Sequence, residues 1–227
     1  MIEVSHLKKK YGKKQILQDI SFQVKCGECV AVVGKNGCGK STLLQIMAGI
    51  LKADGGNIRY FGQDTGKNKK AFRKYCGYVP QENPLMEELS VKDNLKLWGA
   101  GKNASSEKVI RQFQLEEILP VPVEKLSGGM KRRLSIACAL LEWPPILLLD
   151  EPTTALDIYY QENVRQWMGE YRNMNGIIVM TTHEEKEILA ADRCLVMNDG
   201  KMLELDGNDI RMQKIRSYIA ASCRMPV

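Results

Sequence analysis

The sequence predicts an α/β fold built on a largely parallel β-sheet that is covered on both faces. Two observations carry this. The stretches Cys29-Val30-Ala31-Val32-Val33, Ile146-Leu147-Leu148-Leu149 and Ile177-Ile178-Val179-Met180 are apolar without alternation, as strands buried on both faces are. Segments of helical periodicity lie between them, and strands that alternate with helices build parallel sheets.

The elements follow in order. Met1-Ile2-Glu3-Val4 opens as an alternating strand, and residues 1–33 read as strand-rich, with Phe22 and Val24 alternating in Ser21-Phe22-Gln23-Val24. Leu43-Leu44-Gln45-Ile46-Met47 begins a helix expected to reach about Leu51. Ala53 to Asn57 is a glycine-containing turn, and Ile58-Arg59-Tyr60-Phe61 reads as a strand. After Tyr75-Cys76-Gly77-Tyr78-Val79 the character changes. Residues 84–125 show mostly helical periodicity, through Val91, Leu95 and Trp98 and then Val109, Ile110 and Phe113, and Pro120 and Pro122 close the segment. From Ser127 onward strand and helix alternate again. The first helix there carries Met130, Leu134, Ala137 and Leu141 on one face and ends at Trp143-Pro144-Pro145. The helical middle section reads as an insertion into an α/β core. No internal repeat, low-complexity tract or heptad run interrupts this plan.

A chain of 227 residues suits one sizeable domain with a buried core. No apolar run approaches the length of a membrane span, and the N-terminus shows no signal peptide. The expected location is therefore the cytoplasm, with any membrane role exerted through a partner. Seven cysteines, an odd number, argue for free thiols. Cys26-Gly27-Glu28-Cys29 has C-x-x-C spacing but no second pair or matching histidines, and reads as a turn leading into a strand. The net charge of +6 is modest. Lysines at 8–10, 13 and 14, and the basic run from Lys67 to Lys74, suit anionic lipid, nucleic acid or plain solvated surface, and charge does not choose among these.

The chemistry is concentrated in three places. Gly34-Lys35-Asn36-Gly37-Cys38-Gly39-Lys40-Ser41-Thr42 fits G-x-x-x-x-G-K-[ST] between a strand and a helix. Glycines let successive backbone N–H groups point inward, and the helix adds its positive end, so the run predicts a nucleoside triphosphate site. Lys40 reaches the β/γ-phosphates in such a loop, and the Ser41 hydroxyl ligates Mg²⁺. Asp150 and Glu151 follow a buried strand at its carboxyl end, where parallel sheets bind ligands. Asp150 suits Mg²⁺ held through water, and Glu151 suits polarising an attacking water. Leu126-Ser127-Gly128-Gly129-Met130 opens a helix with Ser127 as natural N-cap and exposed glycine N–H groups, a second anion site on chemistry alone. Cys38, between two glycines and beside Lys40 at a helix N-terminus, is expected to favour its thiolate. Alkylation there should inactivate the site, and Mg-ATP should slow it.

Together these residues resemble the ATP-binding cassette (ABC) ATPases. Gly34 to Thr42, Gln81, Leu126 to Gly129, Asp150-Glu151, Ala155-Leu156-Asp157 and His183 stand in that family's order, and the resemblance spans essentially the whole chain. It implies a RecA-like P-loop NTPase core with an N-terminal antiparallel β-subdomain and an inserted α-helical subdomain. Core and β-subdomain are expected at about 1–83 and 136–227, and the helical subdomain at about 84–135. It further implies that two such modules pair head-to-tail around two ATP, as a homodimer or heterodimer.

By the same resemblance Tyr11 stacks on adenine, and Gly34, Asn36, Gly37, Cys38, Gly39, Lys40, Ser41 and Thr42 hold the phosphates. Gln81 touches Mg²⁺ and the attacking water, Asp150 serves the metal, and Glu151 and His183 act in catalysis. Ser127, Gly128 and Gly129 bind the γ-phosphate held by the other subunit, and Asp157 sits at the junction. Met130 stands where many members have Gln, which should weaken closure slightly, and Ile158 stands where Pro is common, which should loosen that loop; neither change removes a reactive group. The runs Leu126 to Leu134 and Asp150 to Thr154 look most like ABC-2 exporter subunits. That resemblance implies membrane subunits on separate chains and no nucleic-acid partner. The runner-up class is a soluble ABC ATPase acting on ribosomes or DNA, whose usual second cassette or coiled-coil insertion is not seen here.

Overall fold

The computed structural model describes residues 1–68, 70–99, 105–154 and 156–221. The chain opens with a long antiparallel hairpin, β1 (Ile2–Tyr11) and β2 (Lys14–Val24). β3 (Cys29–Gly34) then leads into α1 (Lys40–Met47), followed by β4 (Gly55–Tyr60) and β5 (Gln63–Asp64). α2 (Lys70–Tyr75) and β6 (Cys76–Val79) come next, then α3 (Val91–Trp98), α4 (Ser105–Gln112), two short 3-10 turns and α5 (Gly128–Leu140). The remainder alternates: β7 (Ile146–Asp150), α6 (Ile158–Asn173), β8 (Ile177–Thr181), α7 (Glu185–Ala190), β9 (Arg193–Asn198), β10 (Lys201–Asp206) and α8 (Met212–Ala221).

Two sheets result. One is antiparallel in the order β2-β1-β4-β5. The other has the order β10-β9-β3-β8-β7-β6, parallel from β9 to β6 with β10 as an antiparallel edge. The unbroken apolar strands of the sequence form its centre, as expected. Their residues divide alternately between two cores, as the two-residue side-chain period of a strand requires. Val30, Val32, Leu148 and Val179 pack with α1 and the antiparallel sheet. Ala31, Val33, Leu147, Leu149 and Ile178 face the opposite side, with α3, α4, α5 and α6.

Three local expectations shift. The first helix stops at Met47, short of Leu51. Gly49 follows in the left-handed region at φ 74°, and a Cβ there would lie 2.4 Å from the Phe72 ring. Phe61 is not strand but turn, at φ 50°, just after β4. α5 is not amphipathic in the expected sense: every residue from Arg132 to Cys138 is buried, because helices of the middle section cover it on one side and β6 on the other. It also runs without a break past residue 135.

Candidate functional site

Strands β3, β6, β7 and β8 run parallel, so the loops that follow them emerge at one edge of the sheet. A cleft of about 510 Å³ lies there. Asn36, Gly37, Gly39, Lys40, Ser41 and Thr42 line it from the loop after β3, Gln81 from the loop after β6, Glu151 from β7 and His183 from β8. Tyr11, half-exposed at the end of β1, and Ile16 close another side. A larger groove of about 680 Å³ between β4, the end of α1 and α2 contains none of these groups, so size does not mark the chemical site.

The loop between β3 and α1 depends on its glycines. Gly39 adopts φ 110°, and a Cβ there would meet Ile16 at 2.8 Å. Lys40 is buried, and its Nζ donates to the Gly34 and Lys35 carbonyls at 3.0 and 3.2 Å. The lysine thereby lies curled against its own loop, and glycine-rich loops of this kind suit phosphate oxygens. The Cys38 sulfur packs where a Cβ on Gly34 would come within 2.7 Å of it. Burial pushes this thiol's pKa up, outweighing the opposing pull of Lys40 and of the backbone N–H groups. The thiolate expectation therefore fails, because desolvation of the anion is the larger effect.

Four side chains meet at another wall, with Glu151 at their centre. Gln81 Nε2 donates to Glu151 Oε2 at 3.2 Å, and Thr154 Oγ1 donates to the same oxygen at 3.1 Å. His183 Nε2 stands 3.5 Å from Glu151 Oε1. Glu151 itself sits at φ 51°, a left-handed conformation rare outside glycine. Its N–H is fixed by the Thr181 carbonyl and hydroxyl at 3.1 and 3.0 Å. Asp150 is buried, and its Oδ1 accepts from Thr181 Oγ1 at 2.5 Å. The Tyr78 hydroxyl is pushed up in pKa, first by burial and then by the charge of Asp150.

Metal fit follows from these donors. Asp150 and the half-buried Ser41 hydroxyl offer hard oxygen ligands of the kind Mg²⁺ prefers. Among the described residues no group of three His, Cys, Asp or Glu could hold a metal unaided. That suits an ion carried mostly by phosphate oxygens and water.

The family model for ABC transporters matches residues 17–154, more than half of the chain. This chain is an ATP-binding member of the ABC transporter family. It is 36% identical over 211 residues to a Nod factor export ATP-binding protein I of Rhizobium sp. (strain N33), covering 89% of this chain and 69% of that protein. It is 34% identical over 221 residues to the sulfate/thiosulfate import ATP-binding protein CysA of Escherichia coli (strain K12), covering 92% and 60%. The chain thus spans between 60% and 69% of the length of these two relatives. Among solved structures, a dimeric post-hydrolysis state of the ATP-binding cassette MJ0796 bound to ADP and Pi superposes with a TM-score of 0.82 at 27% identity. That match covers 91% of this chain and 98% of that one.

In this ABC ATPase the remaining expected residues do not line the cleft. Ser127 and Gly128 are exposed at the start of α5, with Gly129 half-buried, and Ser127 Oγ accepts from the Met130 N–H at 3.2 Å as an N-cap. Asp157 caps α6 in the same way, accepting from the Tyr160 N–H at 3.0 Å. Ile158, which stands where the family often has Pro, is the first helical residue and 79% exposed. Ala155 lies outside the described residues. Sequence reasoning missed Ile16, which no motif marks. It also assigned no role to Arg132, which is buried and donates to carbonyls of the loops after β6 and β7.

Proposed function

We propose that this ATPase powers export across a membrane, working as one of two cassettes that close head-to-tail around two ATP. The observation that carries the reading is the meeting of Gln81, Glu151 and His183 on one wall of the cleft whose other wall is the glycine-rich loop. In this reading Tyr11 stacks on the adenine ring. The loop from Gly34 to Thr42 binds the phosphates, with Lys40 turning from its own carbonyls toward the β/γ-oxygens. Asp150, Ser41 and Gln81 would hold Mg²⁺, which would supply charge neutralisation for the phosphates. Glu151 orients and polarises the attacking water, and His183 contacts the γ-phosphate beside it.

Ser127, Gly128 and Gly129 do not line this chain's own cleft, which supports their use on the nucleotide of a second cassette, with Asp157 at the junction. The second cassette is a copy of this chain or a different one. The helical insertion, about residues 84–135, passes nucleotide-driven closure to integral membrane subunits on separate chains. No helix among the described residues is long and apolar enough to cross a membrane; in this reading the chain attaches at the cytoplasmic face through such a partner. Export is favoured over import by the run from Leu126 to Leu134, since percentage identity alone does not separate the two relatives above.

The test is isolation of the tagged chain from gently solubilised cells, with mass spectrometry of what accompanies it. A polytopic membrane protein in stoichiometric amount, with ATP hydrolysis by the isolated assembly, is expected. Ribosomal or DNA-repair proteins without any membrane chain would overturn the transport reading.

A further inference from the structure

Arg132 lies just over one turn into α5, the helix that Ser127, Gly128 and Gly129 open. Its side chain points inward, and its guanidinium is spent on four backbone carbonyls. Nε donates to Pro152 O at 3.1 Å, Nη1 to Pro80 O, and Nη2 to Asp150 O and Glu151 O at 2.5 and 2.8 Å. No carboxylate takes these hydrogen bonds, although burial works against the charge and lowers the pKa to about 10. Burying a cation costs free energy that only well-aligned hydrogen bonds offset, and the carbonyls that supply them here are informative. Pro80 O belongs to the peptide unit that joins Pro80 to Gln81. The other three belong to the turn that keeps Glu151 in its left-handed conformation.

We propose that Arg132 is a positioning residue that links the nucleotide-facing end of α5 to the Gln81–Glu151 pair. A shift of α5 moves one planar fork, and that fork carries both catalytic loops together, holding Gln81 Nε2 in reach of Glu151 Oε2. The inference rests on the proposed roles of Gln81, Glu151 and the α5 N-terminus. It adds a mechanical connection within one chain between the contact made to a neighbour's nucleotide and the water-activating carboxylate of its own site. A guanidinium is suited to this because its donors diverge in one rigid plane. An ammonium is a point charge that cannot span three segments.

The test uses Arg132→Lys and Arg132→Gln in the chain purified with its co-isolating partners. Affinity is read with a fluorescent ATP analogue, turnover as kcat and KM, and folding by thermal melting. Both variants are expected to melt as single folded species and to keep affinity and KM within about twofold. Their kcat should fall about 10²-fold, the scale of a misplacement at the reacting centre. In a Gln81→Ala background the loss caused by Arg132→Lys should shrink, because both changes act on one pair. Normal kcat in Arg132→Lys, or parallel loss of affinity, kcat and melting temperature, overturns the inference. Failure of the unaltered assembly to bind or hydrolyse ATP instead sinks the reading of the site on which it rests, and the inference with it.

Discussion

His183 Nε2 and Glu151 Oε1 face each other at 3.5 Å across the ends of two neighbouring parallel strands, β8 and β7. The other Glu151 oxygen is taken by Gln81 and Thr154. The carboxylate is therefore steered from both sides before any substrate arrives, which is the arrangement a water-activating base needs. Replacing Glu151 by Gln keeps the shape and the contacts to Thr154 and Gln81 in part, but removes the basic oxygen. ATP binding should survive while hydrolysis falls by about 10²–10⁴. Single-turnover release of phosphate, beside equilibrium binding of a fluorescent nucleotide, separates the two effects. Near-normal turnover would remove Glu151 from the role.

Cys38 should be a slow thiol. Because burial raises its pKa, the reactive thiolate is scarce at neutral pH and grows as pH rises toward that raised value. Alkylation measured by peptide mass spectrometry should accelerate roughly tenfold per pH unit between pH 7 and 8. Mg-ATP should slow it further by covering the loop. A fast reaction at pH 7 that is flat with pH would mean the loop cations control the thiol after all.

Glu187 is a buried carboxylate beside the turns that carry Glu151 and His183, accepting from Thr153 Oγ1 at 2.7 Å and from Thr182 Oγ1. Burial raises its pKa above the usual value of 4.5, against the pull of those two hydroxyls. The folded protein thus binds this proton more tightly than the unfolded chain does. Stability should fall as pH rises from about 4.5 through the raised value, then level off. Glu187→Gln removes that slope, so its melting temperature relative to the unaltered protein should rise across the same window. A difference that stays constant with pH would contradict the assignment.

The strands were legible because burial on both faces leaves a local record: Val30 to Val33 and Leu147 to Leu149 cannot be anything but apolar. The cleft-lining residues were legible as a group because loops after parallel strands share an edge, and glycines there are forced by close approach, as Gly39 is by Ile16. Arg132 and the wrapping of α5 were not. Nothing in the local run of Lys131, Arg132 and Arg133 signals burial, yet Arg133 donates to Phe113 O and lies 4.2 Å over the Tyr160 ring, while Arg132 holds carbonyls 18 to 52 positions away. What buries them is supplied by distant segments, and periodicity within a helix contains no trace of it. Cys38 misled for a related reason: Lys35 and Lys40 lie close in sequence, but its burial is a property of the packed loop.

The position of β3 also fixes when the site can exist. Its two partners are β8, ending at Thr181, and β9, ending at Asn198, whereas the hairpin of β1 and β2 needs only local chain. As the polypeptide leaves the ribosome, the strand that carries the glycine-rich loop therefore waits, unpaired and apolar, for more than a hundred further residues to be made. A chain truncated before β9 is left with an open, apolar edge on β3.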